Sequence, residues 1–319
     1  MGIFDKRINL KPYEYPELQK FKDAIRHSFW IHTEINLTSD IQNYLVDVTD
    51  KEREVIKRAM LAISQIEVSI KRFWGDIYLL IPKHEVNSVG MTFAENEVRH
   101  TDSYSNLLEV LGLDKEFEKV IEVPCIKNRM DYLESISKLK GKSHDIMKIL
   151  TFSILTEYVS LFGLFYVLMS FNKFKNIFKG MSNIVEATSK DEAIHRDFGF
   201  ALINIIQKEH PELFDLNFKQ DLNDVLDVSL DSELDIINWV FEKGDLDFVN
   251  RKTVYNFVIS KLDDALKKLN LKSELIIDND LLKETKWFDL EIKTTKEDDF
   301  FNKKSVSYNK EQIKYEDVF

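Results

Sequence analysis

Turn-making residues are scarce in this chain: 9 Gly and 5 Pro stand among 319 residues, about 4% together where an average protein carries roughly 12%. An all-β architecture needs a turn every ten residues or so, and these residues supply most turns. Long helices are therefore expected. The same scarcity removes the Gly-rich phosphate loops, since neither Gly-x-Gly-x-x-Gly nor Gly-x4-Gly-Lys-Ser/Thr occurs. With 44 basic and 55 acidic residues the net charge is −11, which disfavours nucleic acid as a partner because phosphate affinity comes from clustered Lys and Arg. The single cysteine, Cys125, excludes an internal disulfide and fits a reducing, cytoplasmic setting, where it reads as a structural thiol. The first residues carry charges every few positions and no apolar leader, so no signal peptide is expected. The most apolar run, 146–171, holds Lys148 and Glu157 and reads as a core helix, not a membrane span.

Periodicity predicts a first helix from Pro16 to about Trp30. A capping box, Thr49 with Glu52, opens a long helix to about Leu80. A break at 81–87 precedes a second long helix over 88–112. One or two shorter helices follow, with a connection near Pro124. A third long helix covers about 144–171 and a fourth about 174–209, stopping before Pro211. Two more helices are expected over 219–270, after which 271–319 loses helical periodicity. This is an all-α chain: one helical domain over 1–295 and a flexible tail over 296–319.

Two of the seven histidines have a Glu three residues earlier: Glu97 before His100 and Glu192 before His195. Residues i and i+3 on a helix project from one face, so carboxylate and imidazole can converge on one ion. The two motifs fall on different long helices. Each of the other two long helices carries an acid among apolar neighbours, Glu67 in LAISQIEVSIKRFW and Glu157 in FSILTEYVSLFGLF. Singly, each piece has a plain reading: a surface Glu–His pair, a Glu67–Lys71 ion pair, a polar helix–helix contact at Glu157. Isolated buried carboxylates are costly. A shared metal pair removes that cost. One Glu from each of two helices plus Glu-x-x-His from each of the other two is the ligand pattern of ferritin-like dimetal bundles. Oxygen and imidazole donors suit manganese and iron, with no thiolates to favour softer metals.

The chain resembles the radical-generating small (beta) subunit of class I ribonucleotide reductase over most of residues 20–319. The most specific portion is SKDEAIHRDFGF, where Asp191, Glu192 and His195 match the family signature. The resemblance implies Glu67, Glu97 and His100 at one metal and Glu157, Glu192 and His195 at the other. Tyr104, four residues after His100, stands where the family places its radical tyrosine. Trp30, in HSFWIHTEI, matches the aromatic element beside the cluster, and Asp191 matches the acid linking a metal histidine to that tryptophan. Tyr308 and the terminal IKYEDVF resemble the tail that carries the radical to, and docks in, the large subunit. A homodimer in the cytoplasm is implied as well.

The chain departs from the commonest family pattern in two places. The first ligand is Glu67 where most members have Asp, and Leu161 replaces a phenylalanine after Glu157. Glu as first ligand with a retained tyrosine looks like the dimanganese subclass, in which a Mn(III)Mn(IV) pair assembled with superoxide holds the oxidising equivalent and the tyrosine stays reduced. Manganese is thus favoured over iron for the two ions. Lys71, one turn beyond Glu67, is then expected to guide an anionic oxidant. The implied activity is supply of a one-electron oxidant to the large subunit, where ribonucleotides become deoxyribonucleotides. The alternatives are a tyrosyl-radical di-iron small subunit, a ligand-binding dimetal oxidase of the same superfamily that needs no docking tail, a ferritin-type store, or a helical scaffold.

Overall fold

The computed structural model describes the backbone of residues 2–301 and the side chains of residues 2–293. Residues 302–319 of the expected tail, Tyr308 among them, lie outside the described residues. Among the described residues no strand forms, and helices follow one another along the chain: α1 (Gln19–His27), α2 (Thr38–Gln42), α3 (Asp50–Leu80), α4 (His84–Val110), α5 (Asp114–Lys119), α6 (Pro124–Lys138) and α7 (Lys142–Leu150). A π-helical stretch (Thr151–Ser160) joins α7 to α8 (Leu161–Lys175), followed by α9 (Lys179–Glu209), α10 (Leu216–Val240), α11 (Arg251–Lys268) and α12 (Asn279–Phe301).

Four rods make the central bundle: α3, α4, the continuous Lys142–Lys175 rod, and α9. α3 begins with the expected capping box, the Thr49 hydroxyl accepting from Glu52 N–H while the Glu52 carboxylate accepts from Thr49 N–H. Pro82 ends it, and α4 restarts at His84, four residues earlier than the sequence reading placed it, because nothing after Lys83 interrupts a helix. The short 81–83 link leaves α3 and α4 antiparallel and packed along their length. α8 and α9 pair in the same way through Asn176–Phe178. In a Gly-poor chain this reversal is made by two left-handed residues, Asn176 and Phe178, both at φ 57°. Asn tolerates that region. Phe178 is held there by full burial of its ring and by its N–H donating to Asn43 Oδ1 at 2.9 Å. Asp40 then caps α9, its carboxylate accepting from Gly180 and Met181 N–H at 3.0 and 2.7 Å.

The rod 142–175 contains an 18-residue window of mean hydropathy 1.6, long and apolar enough to cross a membrane, yet that window is wholly buried in the bundle. It is a core helix, as its interruptions by Lys148 and Glu157 predict. Two glycines permit close approach: a side chain at Gly90 would strike Ile77 and the Trp74 carbonyl across α3–α4, and one at Gly199 would strike Ser153. The second contact seats α9 directly on the π stretch.

Two expectations are corrected. α1 stops at His27, because the Ser28 hydroxyl turns back to donate to the Ala24 and Ile25 carbonyls, so Trp30 lies in irregular chain beyond it. Residues from 271 onward do not all lose helical order: α12 runs from Asn279 and buries Thr285, Phe288 and Ile292 at helical spacing. Its apolar stripe is thin and its other faces are charged, which hid the period.

Candidate metal centre

Each bundle rod turns one or two acids inward. α3 brings Glu67, the π stretch Glu157, α4 Glu97 with His100, and α9 Glu192 with His195. All six side chains are buried. They form two overlapping groups: Glu67, Glu97, His100 and Glu192, then Glu97, Glu157, Glu192 and His195. Within each group the candidate ligand atoms lie within 4.8 Å of one another. Glu97 and Glu192 belong to both groups, so their carboxylates stand between the two positions. The sequence reading had divided the six three and three.

The two imidazoles face the carboxylates through the same atom. His100 Nδ1 is 3.2 Å from Glu97 Oε2 and 3.1 Å from Glu192 Oε1. His195 Nδ1 is 3.0 Å from Glu97 Oε1, 3.3 Å from Glu192 Oε2 and 3.5 Å from Glu157 Oε2. Proximity is not matched by pairing: both oxygens of Glu67 and of Glu192, Glu97 Oε1, Glu157 Oε2 and His195 Nδ1 have no aligned hydrogen-bond partner. Buried polar atoms are nearly always satisfied, so this many orphans pointing at one another mark a place for cations. Carboxylate oxygens and imidazole nitrogens are the donor set that manganese and iron accept, and the residues fit a pair of such ions.

Without ions, protons must carry the compensation. Burial, then the Glu97 charge, pushes the Glu67 carboxyl well above the usual range. Burial and the Glu192 charge do the same to Glu157. Burial opposes ionisation of Glu97 too, but the His100 and His195 rings hold it below the usual range. Burial disfavours charge on His100 and His195, yet Glu97 beside the first and Glu157 with Glu192 beside the second raise both.

The plain alternative for Lys71, an ion pair with Glu67, does not form. Lys71 Nζ instead lies 3.4 Å from Thr101 Oγ1 on α4 and is half-buried at the edge of the site, while Glu67 stays unpaired. Trp30 donates its indole N–H to Asp191 Oδ2 at 2.8 Å, and His100 Nε2 is 3.1 Å from the same oxygen. The Trp30 and His100 rings stack with centroids 6.0 Å apart. Asp191 therefore joins a site histidine to the tryptophan, and it is the histidine of the other motif, His100, not His195 on its own helix. Burial opposes ionisation of Asp191, but hydrogen bonds from His100, Asn96 and Trp30 keep it below the usual range. Tyr104 is buried one turn from His100. Its hydroxyl and that of its neighbour Thr188 have no aligned partner, and burial pushes the phenol upward.

Three contributors escaped the sequence reading. Trp74 donates its indole N–H to Glu157 Oε1 at 2.6 Å, and its ring lies edge-on to His195 at 5.5 Å. It stands seven residues after Glu67, two turns along the same face of α3, a spacing that could have revealed it. Asn96, just before Glu97, touches both histidines through its carboxamide. The π geometry around Glu157 carries no pattern in the residues, although such segments recur at functional sites.

Comparison with known proteins agrees with this architecture. The match to a small-subunit relative from Invertebrate iridescent virus 6 is 26% identical over 225 residues and covers 66% of this chain. It spans 62% of that protein's length. The fold superposes on the ribonucleotide reductase R2 subunit from Clostridium botulinum with TM-score 0.78 and 18% identity, covering 88% of this chain and 89% of that one. It also superposes on dimanganese(II)-NrdF of Streptococcus sanguinis with TM-score 0.74 and 14% identity, covering 88% and 100%. The family model for ribonucleotide reductase, small chain, matches residues 7–274. A bundle with two overlapping ligand groups, over a stretch that this model matches nearly from end to end, places the chain in the ribonucleotide reductase small chain family.

Proposed function

We propose that this chain is the oxidant-storing subunit of a ribonucleotide reductase and holds two manganese ions on Glu67, Glu97, His100, Glu157, Glu192 and His195. The observation that carries the reading is the convergence of six buried ligands whose facing oxygens lack protein partners. When bound, the metal pair supplies a stable one-electron oxidant. The protein's own residues do the rest. Glu97 and Glu192 stand between the two positions and hold them together. Trp74 fixes one oxygen of Glu157. Asp191 orients His100 and ties it to Trp30, a half-buried indole suited to relaying an electron between the core and the surface. The substrate and its phosphates would sit on a large subunit, reached by the tail with Tyr308.

Manganese and a reduced Tyr104 are favoured by the phenol's surroundings. Oxidising a tyrosine requires an acceptor for its proton; the Tyr104 hydroxyl neighbours that of Thr188, a weak base, and burial pushes the phenol upward. A homodimer is supported by exposed apolar pairs on α3, Val68 with Leu79, and on α4, Met91 with Val98, spaced by three and two turns.

Metal-free protein reconstituted with Mn(II) and superoxide is expected to show a multiline mixed-valent manganese signal without a tyrosyl radical. Trp30→Phe should keep that signal and lose turnover with the large subunit. A tyrosyl signal after Fe(II) and oxygen, with full turnover, would reverse the metal assignment. Turnover in Trp30→Phe would sink the relay. Lys71, whose amine faces Thr101 and not a carboxylate, is free to meet an anion at the edge of the site. Lys71→Ala should slow activation by superoxide while leaving Mn(II) affinity nearly unchanged; equal activation rates would remove that role.

A further inference from the structure

Asn96 is wholly buried on α4, and its carboxamide lies between the two site histidines. Three nitrogens converge on Asp191 Oδ2: Trp30 Nε1 at 2.8 Å, Asn96 Nδ2 at 2.8 Å and His100 Nε2 at 3.1 Å. An indole N–H can only donate, so this oxygen is an acceptor. The NH2 end of Asn96 must therefore be the end that faces it. That orientation turns Asn96 Oδ1 to the opposite side, 3.0 Å from His195 Nε2. An amide oxygen can only accept, so His195 Nε2 carries a proton. His100 Nε2, facing Asp191, carries one as well. Asn96 Nδ2 and His100 Nε2, 3.2 Å apart, are then two donors side by side aimed at one oxygen. With both Nε2 atoms engaged outward, the remaining nitrogen of each ring, Nδ1, is the one turned toward the four glutamates.

We propose that Asn96 is the positioning residue for His195: it relays the acceptor face of Asp191 to the second imidazole, so one carboxylate sets the metal-facing nitrogen of both histidines. His100 is set directly and His195 through the amide. The reason an amide is needed is geometric. His195 offers a donor, Asp191 offers an acceptor, and between them only a group with an acceptor at one end and a donor at the other satisfies both. A leucine of similar shape fills the space and serves neither. The proposal rests on the reading of His100 and His195 as metal ligands.

The test is a Mn(II) titration of the full-length metal-free protein, with free Mn(II) followed by electron paramagnetic resonance. The unmodified chain should bind two ions; failure to do so would sink the dimetal reading itself, and this proposal with it. Asn96→Leu should weaken one of the two sites by about 10–100-fold, the usual cost of losing a ligand's orienting partner. The other site should stay within about threefold. His195→Ala shows which site that is, since it must weaken the same one. Pulsed resonance on Mn(II) bound to Asn96→Leu should show a lost or altered imidazole nitrogen coupling at that site. Asn96→Ala, which cannot clash, is expected to behave alike and decides the matter if the leucine variant does not fold. Unchanged affinity at both sites, or equal weakening of both, overturns the proposal, because a packing role has no reason to single out the site of His195.

Discussion

Replacing Glu192 by Gln is expected to abolish loading of both metal positions and yet to raise the melting temperature of the metal-free protein. Glu192 belongs to both ligand groups. Its loss removes a ligand from each, so both affinities should fall by at least the 10–100-fold that follows loss of a mere orienting partner. The opposite effect without metal comes from charge. Four buried glutamates face two histidines, and Glu192 is among the causes that push Glu67 and Glu157 upward. Removing one negative charge relieves that repulsion, and although His195 loses an attraction, the new amide can donate to carboxylates that otherwise have no partner. A gain of about 0.5–2 kcal/mol is the usual yield of repairing one such defect. In the unmodified chain, saturating Mn(II) should add about 4 kcal/mol at a thousandfold excess over Kd, an increment the variant lacks. Calorimetric melts with and without Mn(II) check both signs. Two ions bound normally by Glu192→Gln, or a variant less stable than its parent without metal, would show that this carboxylate is structural.

The second large effect is on pH, and its sign differs between the two forms of the protein. Glu67 and Glu157 are raised from 4.5, and His100 and His195 from 6.5. A group raised in the folded state binds its proton more tightly there than in the unfolded chain. Its contribution is complete below the unfolded value and fades as pH climbs through the folded one. The metal-free protein should therefore lose stability as pH rises, first above 4.5 through the glutamates and then above 6.5 through the histidines. Glu97 and Asp191 are lowered and act oppositely, contributing above their ordinary values of 4.5 and 3.8 and failing only as pH falls below them. Metal binding must expel the protons that the raised groups retain, so affinity for Mn(II) rises with pH by about tenfold per unit for each proton displaced. Melts across pH 5–9 should find the metal-free optimum on the acidic side of the metal-loaded one. Coincident optima would mean that protons do not substitute for ions in this core.

The helical architecture was legible for a local reason. With few glycines and prolines, nothing stops a helix once it has started, and the Thr49–Glu52 capping box marked the first residue of α3 within the sequence itself. Glu97 with His100 and Glu192 with His195 were legible because the turn of a helix fixes what i and i+3 can touch. Glu67 and Glu157 stood out as acids on apolar faces. What misled was equally local. The thin stripe of Thr285, Phe288 and Ile292 did not reveal α12, and the i, i+4 spacing of Glu67 and Lys71 suggests a pair that does not form, since the amine crosses to Thr101 on α4.

Sequence spacing alone thus determined that the chain is a helical bundle able to present four carboxylates and two imidazoles, since each of those facts lies within a turn or two of one helix. The tertiary structure decided everything that passes between helices: that Glu97 and Glu192 are shared by both positions, that Asp191 on α9 serves His100 on α4, that Asn96 reaches His195, and that Trp74 on α3 holds Glu157. Those pairings join residues 83 to 99 positions apart. The rods' register sets them, through Gly90 and Gly199 where neighbouring helices leave no room for a side chain, and no period within a single helix carries that information.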